Sequence, residues 1–197
     1  MSRRLILASA SPRRRELLAL MGVEFVVSPA DIDESRLPAE PPEAFVARLA
    51  AAKADAVAAV SRPAPVLAAD TIVVCDGAVL GKPRDRAEAI ATLERLSGRW
   101  HRVLSAVSLV DGGHRRDALT DTEVAFRALA PGEASAYWAT GEPADKAGAY
   151  AIQGLGGCFV TAIRGSYSGV VGLPMAETLA LLRSAGIACG PGVRSHA

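Results

Sequence analysis

The stretch that most constrains the fold is Ser9-Ala10-Ser11-Pro12-Arg13-Arg14-Arg15-Glu16-Leu17-Leu18. The apolar run before it, Leu5-Ile6-Leu7-Ala8, reads as a buried strand. Ser11 suits an N-cap, Pro12 the first helical position, and Glu16 places an acid near the first turn. Leu17, Leu18 and Met21 continue an apolar face, and Gly22 suits the stop. The chain therefore begins with a strand, a tight turn and a helix. A helix start offers N–H groups without intrahelical partners and a partial positive charge. Arg13, Arg14 and Arg15 stand there against the helix dipole, and an anion would relieve that repulsion. Two readings stay open, a solvated basic first turn and a cradle for polyphosphate. Neither a P-loop nor a GxGxxG pattern is present, so a cradle here would be a different solution.

The rest of the chain reads as alternating strands and helices. Strands are expected at 23–27, 65–75, 78–80, 100–110, 115–126 and 158–163, and helices at 41–60, 85–96, 131–140 and 173–185. Asp76-Gly77 and Asp111-Gly112-Gly113 read as hairpin turns. Residues 141–157 mix glycines with charges, Tyr150 and Gln153, which suggests a binding loop. Residues 190–197 read as a frayed tail. With 197 residues, half of them hydrophobic, the chain suffices for one domain, 1–197, or two small lobes sharing a core.

Three charged features stand out. Asp70 interrupts the apolar strand 65–75, where an isolated carboxylate costs several kcal/mol. It needs a cation, a set of donors or a function, and function is the favoured reading. Lys53 lies on the apolar face of the helix 41–60, with Val46 and Val57. A lysine so placed ordinarily snorkels to the edge, and the alternative is an ammonium aimed into a site. Asp31, Asp33 and Glu34 form an acidic loop, either solvated or a source of Mg²⁺ ligands. Lys82, between Gly81 and Pro83, is held on a constrained loop.

Composition removes several classes. The net charge is +1, from 22 basic and 21 acidic residues, which argues against an extended nucleic-acid surface. Aromatics make up only 5%, too few for base-stacking platforms. Cys75, Cys158 and Cys189 form no CxxC pair, and His101, His114 and His196 lack ligand spacing. A reducing cytoplasm fits that usage. The apolar run near Met1 is too short for a signal peptide, and no run is long enough to span a membrane.

Taken in order, Ser9-Ala10-Ser11-Pro12-Arg13-Arg14, Asp33-Glu34, Lys53, Ala69-Asp70-Thr71, Leu80-Gly81-Lys82-Pro83, Ser97-Gly98-Arg99, residues 145–154 and residues 167–174 resemble the Maf family of nucleoside triphosphate pyrophosphatases. The resemblance covers nearly the whole chain. It implies an α/β fold, an elongated mixed β-sheet flanked by helices, with two lobes and an active-site cleft between them (Maf/ITPase-like). It implies hydrolysis of a nucleoside triphosphate to the monophosphate and pyrophosphate with a divalent cation, Mg²⁺ or Mn²⁺, as a house-cleaning step in nucleotide metabolism. The Pro-Arg-Arg, Asp-Thr and Ile-Gln-Gly forms are similar to the dTTP/UTP subtype rather than the 7-methyl-GTP subtype, with CTP and modified pyrimidine nucleotides in the same range. The implied site has Asp70 as catalytic residue and metal ligand and Glu34 as second metal ligand. Ser9, Arg13, Arg14, Lys53, Thr71, Lys82 and Gln153 would bind substrate. Gly169 departs from the family pattern, where Asn is expected. A homodimer suits the family; no nucleic-acid or membrane partner is expected. The competing reading is a nucleotide-binding regulator of septum formation and cell division, acting by protein interaction without turnover. It would need the basic residues but not Asp70.

Overall fold

The computed structural model describes residues 4–191. Its sheet is mixed and seven-stranded, flanked by helices, in the order β2-β1-β3-β5-β6-β7 with β4 beside β3. The strands are β1 (Leu5–Leu7), β2 (Phe25–Val27), β3 (Val66–Cys75), β4 (Ala78–Leu80), β5 (Trp100–Asp111), β6 (His114–Phe126) and β7 (Val160–Arg164). The helices are α1 (Pro12–Leu20), α2 (Pro42–Val60), α3 (Arg86–Leu96), α4 (Glu133–Trp138), α5 (Tyr167–Val171) and α6 (Met175–Ser184). The chain packs as two compact units. One holds the N-terminal stretch through Asp70, Ser105–Leu119 and the C-terminal stretch from Gly172; the other holds Thr71–Leu104 and Thr120–Val171.

In the first unit β1 pairs in parallel with β2 and with β3, Leu7 opposite both Val27 and Leu67. Parallel strands bury both faces, and alternation assigns the sides. Leu5, Leu7, Leu67 and Ala69 pack with Leu18 of α1 and Leu182 of α6. Ile6, Ala8, Val66 and Ala68 pack with Ala54 and Val57 of α2. The period of two then turns Asp70 toward the α2 face, so the acid in the strand and the lysine in the helix stripe meet for one geometric reason.

The second unit has its own core, in which Leu93 and Leu96 of α3, Phe126, Tyr137, Tyr150 and Phe159 are buried together. Two hairpins shape the sheet. Asp76-Gly77, with φ of 49° and 74°, and Gly112-Gly113, with 57° and 84°, both adopt the left-handed conformation that tight two-residue turns require.

Residues 141–157, expected as a loop, carry local structure of their own. They fold as three short 3₁₀ turns, Glu142–Asp145, Ala147–Ala149 and Leu155–Phe159. Gly148 has φ +70°, and a Cβ there would sit 2.8 Å from Val73, so the turn closes directly on β3. Helix α5 was not expected, since five residues are too few to show a period. Ser166 caps it, its Oγ accepting from Gly169 N at 3.0 Å. A Cβ on Gly169 would lie 2.9 Å from Thr120 Oγ1, so a side chain at this position would require Thr120 to shift. Of the expected tail, Gly190 is tied down, donating to Met21 O at 2.7 Å. Residues 192–197 lie outside the described residues.

His101 is buried beside Tyr150, its Nε2 2.9 Å from the hydroxyl. Burial pushes its pKa down from 6.5 to about 4. Between those values the unfolded chain binds a proton that the folded chain does not, so stability falls as pH is lowered through that window. Urea melts from pH 7 to pH 4 test this: His101→Gln is expected to fall less steeply with acid than wild type.

Candidate active site

The first turn of α1 forms as its residues dictate. Ser11 accepts from Arg14 N at 3.4 Å, and Pro12 opens the helix. The Ser11 N–H donates to Ser9 Oγ at 3.2 Å, which binds the strand end to the helix start. Arg14 turns back across this turn. Its Nη1 donates to Ser9 Oγ at 3.2 Å and its Nε to Gly172 O at 2.9 Å. Burial lowers the Arg14 pKa; the charge of Asp70 opposes that shift, neighbouring Arg13 adds to it, and Glu34 opposes it. Ser9 and Arg14 thus form one fixed donor group, with Arg13 beside it. Gly172 as an anchor was not legible, since it contributes only a carbonyl.

The second half of this site is the meeting of α2 and β3. Lys53 is 8% exposed and Asp70 7% exposed. Lys53 does not snorkel: its Nζ donates to Asp70 Oδ1 at 2.7 Å and lies 2.9 Å from Glu34 Oε1. Burial in the middle of β3 is what makes the pairing worthwhile, because each charge satisfies the other where water cannot. Glu34 reaches the same ammonium from the acidic loop, with its side chain 57% exposed. Asp33 is occupied otherwise, accepting from the N–H and hydroxyl of Ser35, each at 2.8 Å, which holds its carboxyl below the usual range. Arg48 braces the loop by donating to Ser35 O at 3.0 Å while pairing with Glu40.

Ser9, Arg13, Arg14, Glu34, Lys53 and Asp70 therefore belong to one unit, and the contacts join Ser9 to Arg14 and Glu34 to Lys53 and Asp70. Thr71, Lys82 and Gln153 belong to the other. Thr71 follows Asp70 on β3, so the strand's alternation points its side chain to the opposite face. Lys82 and Gln153 are both exposed. Gly148 N donates to Gly81 O at 3.1 Å, linking the Lys82 loop to the turn that precedes Gln153. The sequence reading missed Glu142 and Tyr137, which hold the Gln153 segment. Their signal was present in Gly154, Gly156 and Gly157, where a Cβ would meet Glu142, Tyr137 and Ile152 at 2.3, 2.6 and 2.6 Å.

Chemically, the arrangement offers a fixed guanidinium and a serine at a positive helix end, with two carboxylates converging on one cation. It defines an α/β protein whose first βα turn gathers arginine and serine side chains at a helix start. The model of the Maf-like protein family matches residues 4–185. Relatives match over nearly their whole length. The dTTP/UTP pyrophosphatase of Yersinia pestis bv. Antiqua is 56% identical over 179 residues, covering 90% of this chain and 91% of the relative. That of Myxococcus xanthus is 56% identical over 183 residues, 93% of each. That of Hahella chejuensis is 52% identical over 188 residues, 94% of each. The chain belongs to the Maf family.

Proposed function

We propose that this protein is an enzyme that hydrolyses dTTP and UTP, and by extension related pyrimidine triphosphates, to the nucleoside monophosphate and pyrophosphate. The observation that carries the reading is the Lys53–Asp70–Glu34 group in the same unit as the Ser9–Arg14 donor group, in a chain more than half identical to proteins named dTTP/UTP pyrophosphatase.

A triphosphate brings close to four negative charges. Arg13, Arg14 and the α1 N–H groups receive phosphate oxygens, Ser9 orients Arg14, and Lys82 adds a point charge from its exposed loop. Lys53 balances the two carboxylates in the free protein. Asp70 orients the attacking water and takes up its proton, and Gln153 reads the base.

Among the described residues no three His, Cys, Asp or Glu side chains cluster as a metal site. The donor set nonetheless fits a divalent cation. Mg²⁺ is ordinarily held by one or two carboxylates plus substrate phosphates, and Asp70 and Glu34 already converge on one positive centre, at 2.7 and 2.9 Å. When bound, Mg²⁺ or Mn²⁺ would neutralise phosphate charge and polarise water, easing the demand on a carboxylate base. No helix among the described residues is long and apolar enough to cross a membrane. A cytoplasmic enzyme, working as a homodimer without nucleic-acid or membrane partners, completes the proposal.

The test is a panel of nucleoside triphosphates with Mg²⁺ or Mn²⁺. UTP and dTTP are expected to lead, and EDTA to abolish turnover. Binding of UTP without turnover under any of these conditions would favour the regulator over the enzyme. A further expectation concerns the phosphate donors. Lys82→Ala removes an exposed side chain and Arg13→Ala removes a charge that repels Arg14. Each should change stability by about 0.5 kcal/mol or less while kcat/KM drops sharply. A large fall in Tm with intact kinetics would show a structural role instead.

A further inference from the structure

We infer that Glu142 and Tyr137 act as a clamp that positions Gln153, and through it sets the enzyme's preference among nucleobases. The inference rests on the pyrophosphatase reading above and on Gln153 facing the base.

Gln153 is an exposed residue in a turn that Gly154 N closes on Ala151 O at 3.1 Å. Ile152 before it is buried, and the 3₁₀ turn Leu155–Phe159 begins two residues after it. A base-reading amide needs a fixed backbone, because its selectivity depends on placing one donor and one acceptor correctly. The turn's own bonds are supplemented by side chains from outside the segment. Glu142 Oε2 accepts from Leu155 N at 3.0 Å, and its Oε1 accepts from Gly156 N at 3.0 Å. Tyr137 donates its hydroxyl to Glu142 Oε1 at 2.5 Å and accepts from Ala151 N at 3.1 Å. Two side chains thereby hold residues 151, 155 and 156, on both sides of Gln153.

The clamp is specific to a carboxylate. All three groups around Glu142 are donors, and a carboxylate offers only acceptors. Burial alone would raise the Glu142 pKa, but the Tyr137 hydroxyl and the two N–H groups outweigh it and hold it below the ordinary range. The glycines admit the clamp: a Cβ on Gly154 would sit 2.3 Å from Glu142 Oε2, and one on Gly156 2.6 Å from the Tyr137 hydroxyl. Tyr137 is anchored in turn against Phe159, with ring centroids 5.0 Å apart. Glu142 and Tyr137 are positioning residues; neither is assigned contact with substrate.

In Glu142→Gln the side chain keeps its size, but its NH₂ meets a donor and at least one of the three bonds is lost. Tyr137→Phe removes the link to Ala151 and one bond to Glu142 while keeping the ring. The experiment measures kcat/KM for UTP and ATP in wild type, Glu142→Gln, Tyr137→Phe, Gln153→Ala and Glu142→Gln/Gln153→Ala. Amide hydrogen exchange at 151–157 is followed in the same proteins. The UTP:ATP ratio should fall by about tenfold in each single variant, the scale of one base hydrogen bond. The double variant should match Gln153→Ala, because the clamp acts through that side chain, and exchange at Leu155 and Gly156 should quicken in both clamp variants. A purely structural role would lower both substrates together and leave the ratio unmoved, which overturns the inference. If Gln153→Ala shifts the ratio and the clamp variants do not, the clamp alone is wrong. If Gln153→Ala also leaves it unmoved, base reading by Gln153 is wrong and the clamp falls with it. Absence of turnover on any triphosphate in wild type would refute the enzyme reading instead.

Discussion

Asp70→Asn is expected to fold, to bind UTP, and to turn it over roughly 10²-fold more slowly or worse, the scale of a lost general base. Asparagine keeps the shape of the side chain in a strand that is otherwise apolar. The partner left behind does not become a lone buried charge, because Lys53 still lies 2.9 Å from Glu34. What the variant loses is the carboxylate that can orient water and accept its proton. The check is kcat at saturating Mg²⁺ and UTP, alongside a thermal melt and a nucleotide titration. Near-wild-type turnover would remove Asp70 from the chemistry and return it to the fold.

Lys53→Ala is expected to behave differently, failing in stability as well as in turnover. Here the buried carboxylate of Asp70 is left without its 2.7 Å partner, inside β3 and under α2. Breaking a buried pair by removing one member costs about 3–5 kcal/mol. In a chain of this size that is a fall in Tm of roughly 6–20 °C, at about 2–4 °C per kcal/mol. Denaturant melts of the two variants side by side test the asymmetry. Lys53→Ala should lose about 3–5 kcal/mol and Asp70→Asn much less. Equal stability of Lys53→Ala and wild type would mean that the ammonium contributes nothing to the resting structure.

The difference between these variants also marks how far the sequence could be read. The opening strand, the Ser11 cap and the first turn of α1 were legible because each is a local rule, and the structure keeps all three. Asp70 was legible as an anomaly, since a carboxylate in a run of Val, Ile and Ala demands an explanation. Lys53 was not settled by its own neighbours, which favour snorkelling. Its burial follows from a residue 17 positions away, and only the strand alternation and helix phase together bring the two into contact. Residues 141–157 were legible as an ordered loop rather than a linker, but the part played by Gly148, Gly154 and Gly156 was not. In the fold those glycines mark places where backbone passes close to Val73, Glu142 and Tyr137. Glu142 and Tyr137 carry no motif recognisable by chemistry, so their part emerges only from three-dimensional donors and acceptors. Helix α5 was missed for a plainer reason, its length of five residues.

The most direct measurement of the central claim is the identity of the first products. Purified protein is incubated with UTP and Mg²⁺, and the early time course is resolved by ion-exchange chromatography. UMP and pyrophosphate should rise together in equal amounts from the first points, with no UDP preceding them. UDP and orthophosphate as the primary products would contradict the account.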